Sequence, residues 1–407
     1  MTDRDAGHSR PDPFPGLRPY EPHESMFFFG RDGETDELVR ILGRTRLLAV
    51  VGASGAGKSS LVNAGLLPAL RGGLFAEAGS RWRVAALRPG DDPVGNLARS
   101  LASPGVLGRE GGSEQEAITE AVLRQGSLGL IEAARQARLP SEENLLIVVE
   151  RFEDLFRVAP TEQAKNADDA SAFVTLLLEA ARQTELPLYV VLVLRAGYMG
   201  DCARFRGLPE AINDGMRLVP RMTRDEARLA ITGPVRVSRA GVTPRLVERL
   251  LNDAGTDPRG LPAFQHALRR AWEAWRREGA HKEPIDLRHY EEAGGVGASL
   301  SRHADEAFDE MADAEAQAVA EKVFRVLARE CGVGRGRGEV LKLKALCEAV
   351  GEDERDVAAV VEAFRREGRS FLRPPAALPL TGDSLVEISY EEVIHSWARL
   401  KSWVGGA

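Results

Sequence analysis

Gly52-Ala-Ser-Gly-Ala-Gly-Lys58-Ser59 fits the pattern G-x-x-x-x-G-K-[ST] and directly follows the apolar run Leu47-Leu-Ala-Val-Val51. Gly52, Gly55 and Gly57 allow a tight turn in which successive backbone N–H groups surround a phosphate. Lys58 is then placed to reach the β/γ oxygens, and the Ser59 hydroxyl to sit on Mg²⁺. Ser54, Ala56 and Ser60 complete the candidate phosphate-binding set. The helix that Lys58 opens, expected over 59–67, puts its positive end beneath the same anion. A strand before the loop and an amphipathic helix after it distinguish a nucleotide triphosphate site from a glycine-rich turn.

Four further apolar runs extend the pattern: Trp82-Arg-Val-Ala-Ala-Leu87, Leu145-Leu-Ile-Val-Val149, Leu188-Tyr-Val-Val-Leu-Val-Leu194 and Met216-Arg-Leu-Val219. Near-continuous apolar character in two of them, between helical stretches that include 117–139 and 170–183, fits buried strands of a parallel sheet. Gly and Ser over 100–113 read as a flexible connection. The expected fold class is an α/β P-loop NTPase, a parallel sheet with helices on both faces and the ligand at the carboxyl ends of the strands.

Glu150 ends the third run and is followed by Arg151-Phe152-Glu153-Asp154. A carboxylate there is where the Walker B acid belongs, holding Mg²⁺ through a bound water. Glu153, or Asp154, is positioned to polarise an attacking water. Glu150 is one methylene longer than the usual Asp, which displaces the magnesium shell and slows turnover. Arg195 closes the run 188–194 and has the fork geometry to sense a γ-phosphate; a surface pair with Asp201 is the alternative. Residues 1–22 are polar and rich in Pro and Gly and read as a tail or a surface clamp; Phe27-Phe-Phe29 with Gly30-Arg31 anchors that segment to the core, lines the base pocket, or does both. Asp32 reads as the N-cap of a helix carrying Leu38, Val39, Ile41 and Leu42.

After Pro220 the sequence becomes helical. Thr223 and Glu226 have capping-box spacing. Gly260-Leu-Pro262 leads into a helix with the stripe Phe264, Ala267, Leu268, Ala271, Trp272 and Trp275. Pro262 suits a pocket floor over the nucleotide, and the stripe suits core packing. Helices near 321–329, 340–350, 356–367 and 391–403, with short strands over 370–373 and 385–389, suggest a winged-helix unit. Arg365, Arg366, Arg369 and Arg373 form only a modest basic cluster there, so packing within the chain is favoured over DNA. The expected domains are an N-terminal extension over 1–22, the P-loop NTPase domain over 23–221, a helical domain over 222–295 and a winged-helix-like domain over 296–407.

The 407 residues carry 54 basic and 61 acidic side chains, a net charge of −7 that argues against coating nucleic acid. Cys202, Cys331 and Cys347 have no paired spacing, so neither a disulfide framework nor a zinc site is expected. No apolar run is long enough to span a bilayer and no signal peptide is evident, so a cytoplasmic location with no membrane partner is expected.

The chain resembles the bacterial STAND-class NTPases, relatives of the NACHT and NB-ARC regulators, in the group often fused to WD40-type repeats. The resemblance rests on Pro13-Phe-Pro-Gly-Leu-Arg-Pro-Tyr20, Phe27-Phe-Phe-Gly-Arg31, the P-loop, residues 145–156 and 191–198, and Leu218-Val-Pro220. It continues in Gly260-Leu-Pro-Ala-Phe-Gln-His-Ala-Leu268 and residues 386–403. It implies an ATP/ADP switch with Mg²⁺: an ADP-bound form held shut, then exchange, conditional homo-oligomerisation and activation of an effector. Gly52 through Ser59, Glu150, Arg195 and Pro262 match family positions and inherit the corresponding roles, and adenine as the base follows from the family. Two departures stand out. The family has Asp-Gln-Phe-Glu-Glu where this chain has Glu150-Arg151-Phe152-Glu153-Asp154, and His-Glu-Ala-Leu where it has Tyr390-Glu391-Glu392-Val393. Tyr390 therefore alters the closed-state lock, and His395 is not assumed to replace it. The effector or sensor is expected outside this chain. Ala-, Arg- and Gly-rich usage points to a high-GC bacterium, with antiviral defence and transcriptional or developmental signalling both open. Two alternatives to the switch are a nucleotide-stabilised scaffold with little turnover and a DNA-handling ATPase of origin-recognition type.

Overall fold

The computed structural model describes residues 12–108, 112–140, 142–156, 163–253, 260–279, 283–330 and 340–405. Described residues within Arg31–Pro220 form one compact unit, and those within Met1–Gly30 and Arg221–Ala407 form another.

The first unit is built on five parallel strands: β1 (Leu47–Gly52), β2 (Trp82–Leu87), β3 (Asn144–Val149), β4 (Leu188–Arg195) and β5 (Met216–Leu218). Their order is β2-β3-β4-β1-β5, with all four pairings parallel. Every residue of β1 and β3 is buried, as their unbroken apolar runs require. The core gathers Ile147, Val149, Leu192, Leu97, Phe173 and Leu177 from strands and helices together.

Helices differ from expectation at three points. The helix after the P-loop runs beyond 67: it opens at Lys58, widens to a π-helical stretch over Leu61–Leu66 and continues through Leu67–Arg71. Pro68 explains the widening, because its ring lacks an N–H and crowds the carbonyl four residues back. The Leu67 N–H reaches instead to the Val62 carbonyl. The stretch 117–139 divides into Ser113–Leu123 and Gly129–Gln136. A Cβ on Gly129 would stand 2.6 Å from the Leu123 carbonyl oxygen, so the chain turns sharply where only glycine fits. Within 100–113, the helix Pro93–Ala102 extends past Ser100, and residues 109–111 lie outside the described ones.

In the second unit the described part of the polar N-terminal segment is core rather than tail. Phe14, Leu17 and Tyr20 are buried, and the Tyr20 hydroxyl donates to the Pro13 carbonyl at 3.0 Å. Trp272 donates its indole N–H to Asp12 at 3.1 Å, and Arg269 reaches the Pro15 carbonyl at 3.3 Å. The aromatic stripe of helix Leu261–Glu278 is fully interior, with Trp272 and Trp275 buried beside Phe14, Leu250 and Tyr290. Phe27 is buried, Phe28 meets Tyr20 edge-on at 5.7 Å, and the Phe29 ring sits where a side chain on Gly233 would collide. These contacts are those of an anchor.

The capping box forms at helix Arg224–Val237, Glu226 N–H donating to Thr223 Oγ1 and Thr223 N–H to Glu226 Oε2. The winged-helix-like part has a second core around Phe324, Phe364, Phe371 and Trp397. Its sheet has three strands, β6 (Leu341–Lys342), β7 (Leu372–Arg373) and β8 (Leu385–Ile388), in the antiparallel order β6-β8-β7. β6 falls where the sequence suggested the start of a helix, which begins two residues later at Leu343. Among the described residues no helix is long and apolar enough to cross a membrane.

Candidate functional site

The carboxyl ends of β1, β3 and β4 carry the candidates Lys58, Ser59, Glu150, Glu153 and Arg195. Gly52 ends β1 in register with Arg195 at the end of β4. Gly55 and Gly57 take positive φ (76° and 85°), the left-handed conformation that the turn demands. Ser54 and Ser60 are half-buried and Ala56 is buried along the same loop. Lys58 opens the helix and folds back, its ammonium donating to the carbonyls of Ala53 at 2.8 Å and Gly52 at 3.1 Å. Ser59 donates its hydroxyl to Glu150 Oε2 at 2.7 Å. Glu150 follows β3 directly and is fixed by its own N–H on the Leu87 carbonyl.

Glu153 lies one helical turn on, in the short helix Phe152–Phe156, and is only 1% exposed. Both of its oxygens are taken by one residue. Arg195 Nε lies 3.0 Å from Oε1, and the Arg195 backbone N–H donates to Oε2 at 3.3 Å. Asp201, the alternative partner expected for Arg195, lies 3.2 Å from Arg204. Asp154 is occupied by Arg151, which has φ of 54° and an ion pair of 3.2 Å to it. Of the two acids expected beyond β3, Glu153 is the one turned to the P-loop lysine.

Burial pushes the Lys58 ammonium down to about 8; Glu153 and Glu150 oppose that shift, and Arg195 adds to it. A buried cation depressed by desolvation is relieved by an anion. The residues therefore fit a phosphate with a divalent cation: Lys58 would gain its counter-charge, and the Ser59–Glu150 pair offers oxygen donors of the hardness Mg²⁺ takes. Among the described residues no three His, Cys, Asp or Glu side chains group to hold a metal, so phosphate oxygens and water would supply its remaining ligands.

The remaining candidates lie on segments other than the P-loop and the ends of β3 and β4. Arg31 is buried at the cap position of helix Asp32–Thr45, one residue before the expected Asp32. Its carbonyl accepts from the Thr35 N–H, and its guanidinium donates to the Pro220 carbonyl at 2.9 Å. Gly30 and Pro262 belong to the other compact unit. Gly30 has φ of 79° and lies against the Glu226 carbonyl, where a Cβ would come within 2.3 Å. Pro262 is buried in the first turn of its helix, a position that wants no N–H donor. Tyr390 caps the helix Glu391–Ser396 and is half-buried, whereas His395 is exposed. One ion pair had no sequence signal: Glu34 accepts two bonds from Arg217 of β5, at 2.8 and 2.9 Å.

The family model described as Novel STAND NTPase 1 matches residues 13–406. The chain belongs to that family. It is thus a STAND-class P-loop NTPase, and the Novel STAND NTPase 1 assignment carries with it nucleotide-driven conformational switching and ATP with Mg²⁺ as ligands. No curated protein matches the chain in sequence. Among solved structures it is similar to the ORC2 protein of Aeropyrum pernix in its ADPNP–ADP complexes, at 12% identity and a TM-score of 0.49, over 93% of this chain and 95% of that one. Cdc6p from Pyrobaculum aerophilum is 15% identical at 0.40, over 96% of each chain. The Walker-type ATPase of Pyrococcus abyssi is 13% identical at 0.43, over 94% and 98%. The family assignment of this Novel STAND NTPase 1 protein stands on the sequence match.

Proposed function

We propose that this protein is an ATP/ADP-dependent signal-transduction switch that hydrolyses ATP slowly and controls oligomerisation or the activation of an effector, in the cytoplasm. The observation that carries it is the convergence of Lys58, the Ser59–Glu150 pair and the Glu153–Arg195 pair at the ends of adjacent strands. In this reading Gly52 through Ser60 hold the phosphates, and Lys58 neutralises the β/γ oxygens. Ser59 and Glu150 hold Mg²⁺, which when bound supplies charge neutralisation of the transferred phosphate. Glu153 receives a proton from the attacking water. Arg195 recognises the terminal phosphate. On the family motif alone, Gly30, Arg31 and Pro262 are proposed for the base.

A nucleotide-stabilised scaffold is the second reading, favoured by the occupation of both Glu153 oxygens by Arg195. The basic cluster of the winged-helix-like part supports packing rather than DNA. Arg365 is buried and donates to the carbonyls of Pro375 and Leu378 at 2.8 Å. Arg366 and Arg369 pair with Glu310, and Arg373 lies 3.9 Å from Glu387.

The deciding experiment identifies the nucleotide released when the purified chain is denatured, together with its mass in solution, for the wild type and Lys58→Ala. Stoichiometric ADP in a monomer, absent from Lys58→Ala, is the expected result. Nucleotide-free wild type with no affinity for ATP or ADP sinks the proposal. An ATP-loaded multimer without turnover selects the scaffold.

A further inference from the structure

Glu153 is nearly sealed from solvent, and its charge is met on both oxygens by Arg195. Those two contacts are unequal. The backbone N–H of Arg195 is fixed at the end of β4, in register with Gly52, so its bond to Oε2 is a permanent tether. The guanidinium is on a flexible stem, with its side chain 26% exposed against 2% for Glu153. It can leave Oε1 without moving the sheet.

With Arg195 in place both oxygens of Glu153 are engaged, so neither is open to an attacking water; once the guanidinium leaves, Oε1 is. A terminal phosphate offers Arg195 up to three oxygens with more charge than one carboxylate, in the geometry that suits a planar fork.

We propose that Arg195 restrains Glu153 until a nucleoside triphosphate draws the guanidinium from Oε1 to the terminal phosphate, so that the base is released only when there is a phosphate to hydrolyse. This deepens the proposed function and rests on it. Once released, Oε1 takes a proton from water as the water oxygen bonds to the terminal phosphorus. The bond from that phosphorus to the bridging oxygen breaks, and its electron pair leaves with the diphosphate. A diphosphate has no group to compete for Arg195, so the restraint stays closed in that state. Arg195 is then a positioning residue for the base as well as a phosphate sensor.

The test is equilibrium binding of a fluorescent non-hydrolysable triphosphate analogue and of the matching diphosphate. In the wild type the analogue must break the Arg195–Glu153 pair. Glu153→Gln removes the competing charge at equal shape, so the ratio of analogue to diphosphate affinity rises about 5- to 30-fold. Glu153→Asp, too short to meet Arg195 Nε, gives the same selective gain and serves if Glu153→Gln does not fold. In an Arg195→Gln background the gain disappears. An unchanged analogue-to-diphosphate ratio in both Glu153 variants overturns the restraint, provided Lys58→Ala abolishes binding of both nucleotides. If the wild type binds neither nucleotide, the site reading fails and takes this inference with it.

Discussion

Lys58 is the residue on which phosphate recognition turns, and its depressed proton affinity makes that recognition sensitive to pH. Its folded value of about 8 results first from burial. The unfolded chain keeps the ordinary lysine value near ~10.4, so between the two values the unfolded state binds more protons. Stability therefore rises with pH through that window, and below about 8 the cost of the buried ammonium is present in full. Phosphate binding has the opposite sign, because the anion requires the ammonium. Nucleotide affinity is expected to hold at pH 7 and weaken above about 8, by at most ~10-fold per pH unit. Lys58→Arg should flatten the profile, since guanidinium keeps its charge. Dissociation constants measured from pH 7 to 9.5 check this, and a flat wild-type profile would remove Lys58 from the phosphate. Lys58, Ser59 and Glu150 were legible in the sequence because each sits at a fixed offset from an apolar run. The partnership of Arg195 with Glu153 was not. Forty-two residues separate them, and only the strand order β3-β4-β1 brings the ends of β3 and β4 side by side. Chain proximity suggested only Asp201 or another near neighbour.

At the level of elements, β1, β3 and β4 were easier to read than the helices because burial on both faces leaves an unbroken apolar run, whereas β5 is largely exposed. The helix Pro93–Ala102 was overlooked although Asp92-Pro93 is a start signal, and Asp92 does accept from the Gly95 N–H at 3.0 Å. The division near Gly129 was invisible because helical periodicity continues across a turn of this size. A junction between two helices of the second unit also escaped notice. His266, on helix Leu261–Glu278, meets His303, on helix Gly295–Asp309, with Nε2 and Nδ1 2.8 Å apart. Ser299 approaches the other His266 ring nitrogen at 3.3 Å, and Phe371 lies against both rings. Burial, reinforced by Arg270 and Arg269, holds both imidazoles far below their ordinary range, and His266 further discourages a charge on His303. Below about pH 6.5 the unfolded chain takes up protons that the folded pair refuses, so stability is lost as pH falls. The pair should cost up to ~2.7 kcal/mol between pH 6.5 and 5.5, twice the 1.36 kcal/mol of a single group over one pH unit. Chemical denaturation at those two pH values should show about half that loss for His303→Gln, the limit for one remaining group. An equal loss in wild type and variant would mean that the junction does not titrate in this way.

Across the whole chain, two compact units fold from one sequence, and the distribution of tryptophan makes them separately observable. Trp82 belongs to the unit of the parallel sheet, packed against Tyr189 at 5.1 Å, whereas Trp272, Trp275, Trp397 and Trp403 all lie in the other unit. In a Trp82→Phe variant, indole fluorescence thus reports on the unit that does not contain the P-loop. Mg-ADP at about 100 times its dissociation constant stabilises whatever binds it by ~2.7 kcal/mol. A scaffold needs that gain only in the unit holding Lys58. A switch needs more, because nucleotide state must be communicated to parts that do not form the phosphate site, and such coupling is a free energy that can be measured. The expected result is that Mg-ADP raises the unfolding midpoint seen by tryptophan fluorescence in Trp82→Phe, and that adding Lys58→Ala abolishes the rise. If Mg-ADP moves only the calorimetric transition of the P-loop unit and leaves the tryptophan signal unchanged, nucleotide is a local stabiliser. The switch would then give way to the scaffold, with Arg195 holding Glu153 as the reason that turnover is low.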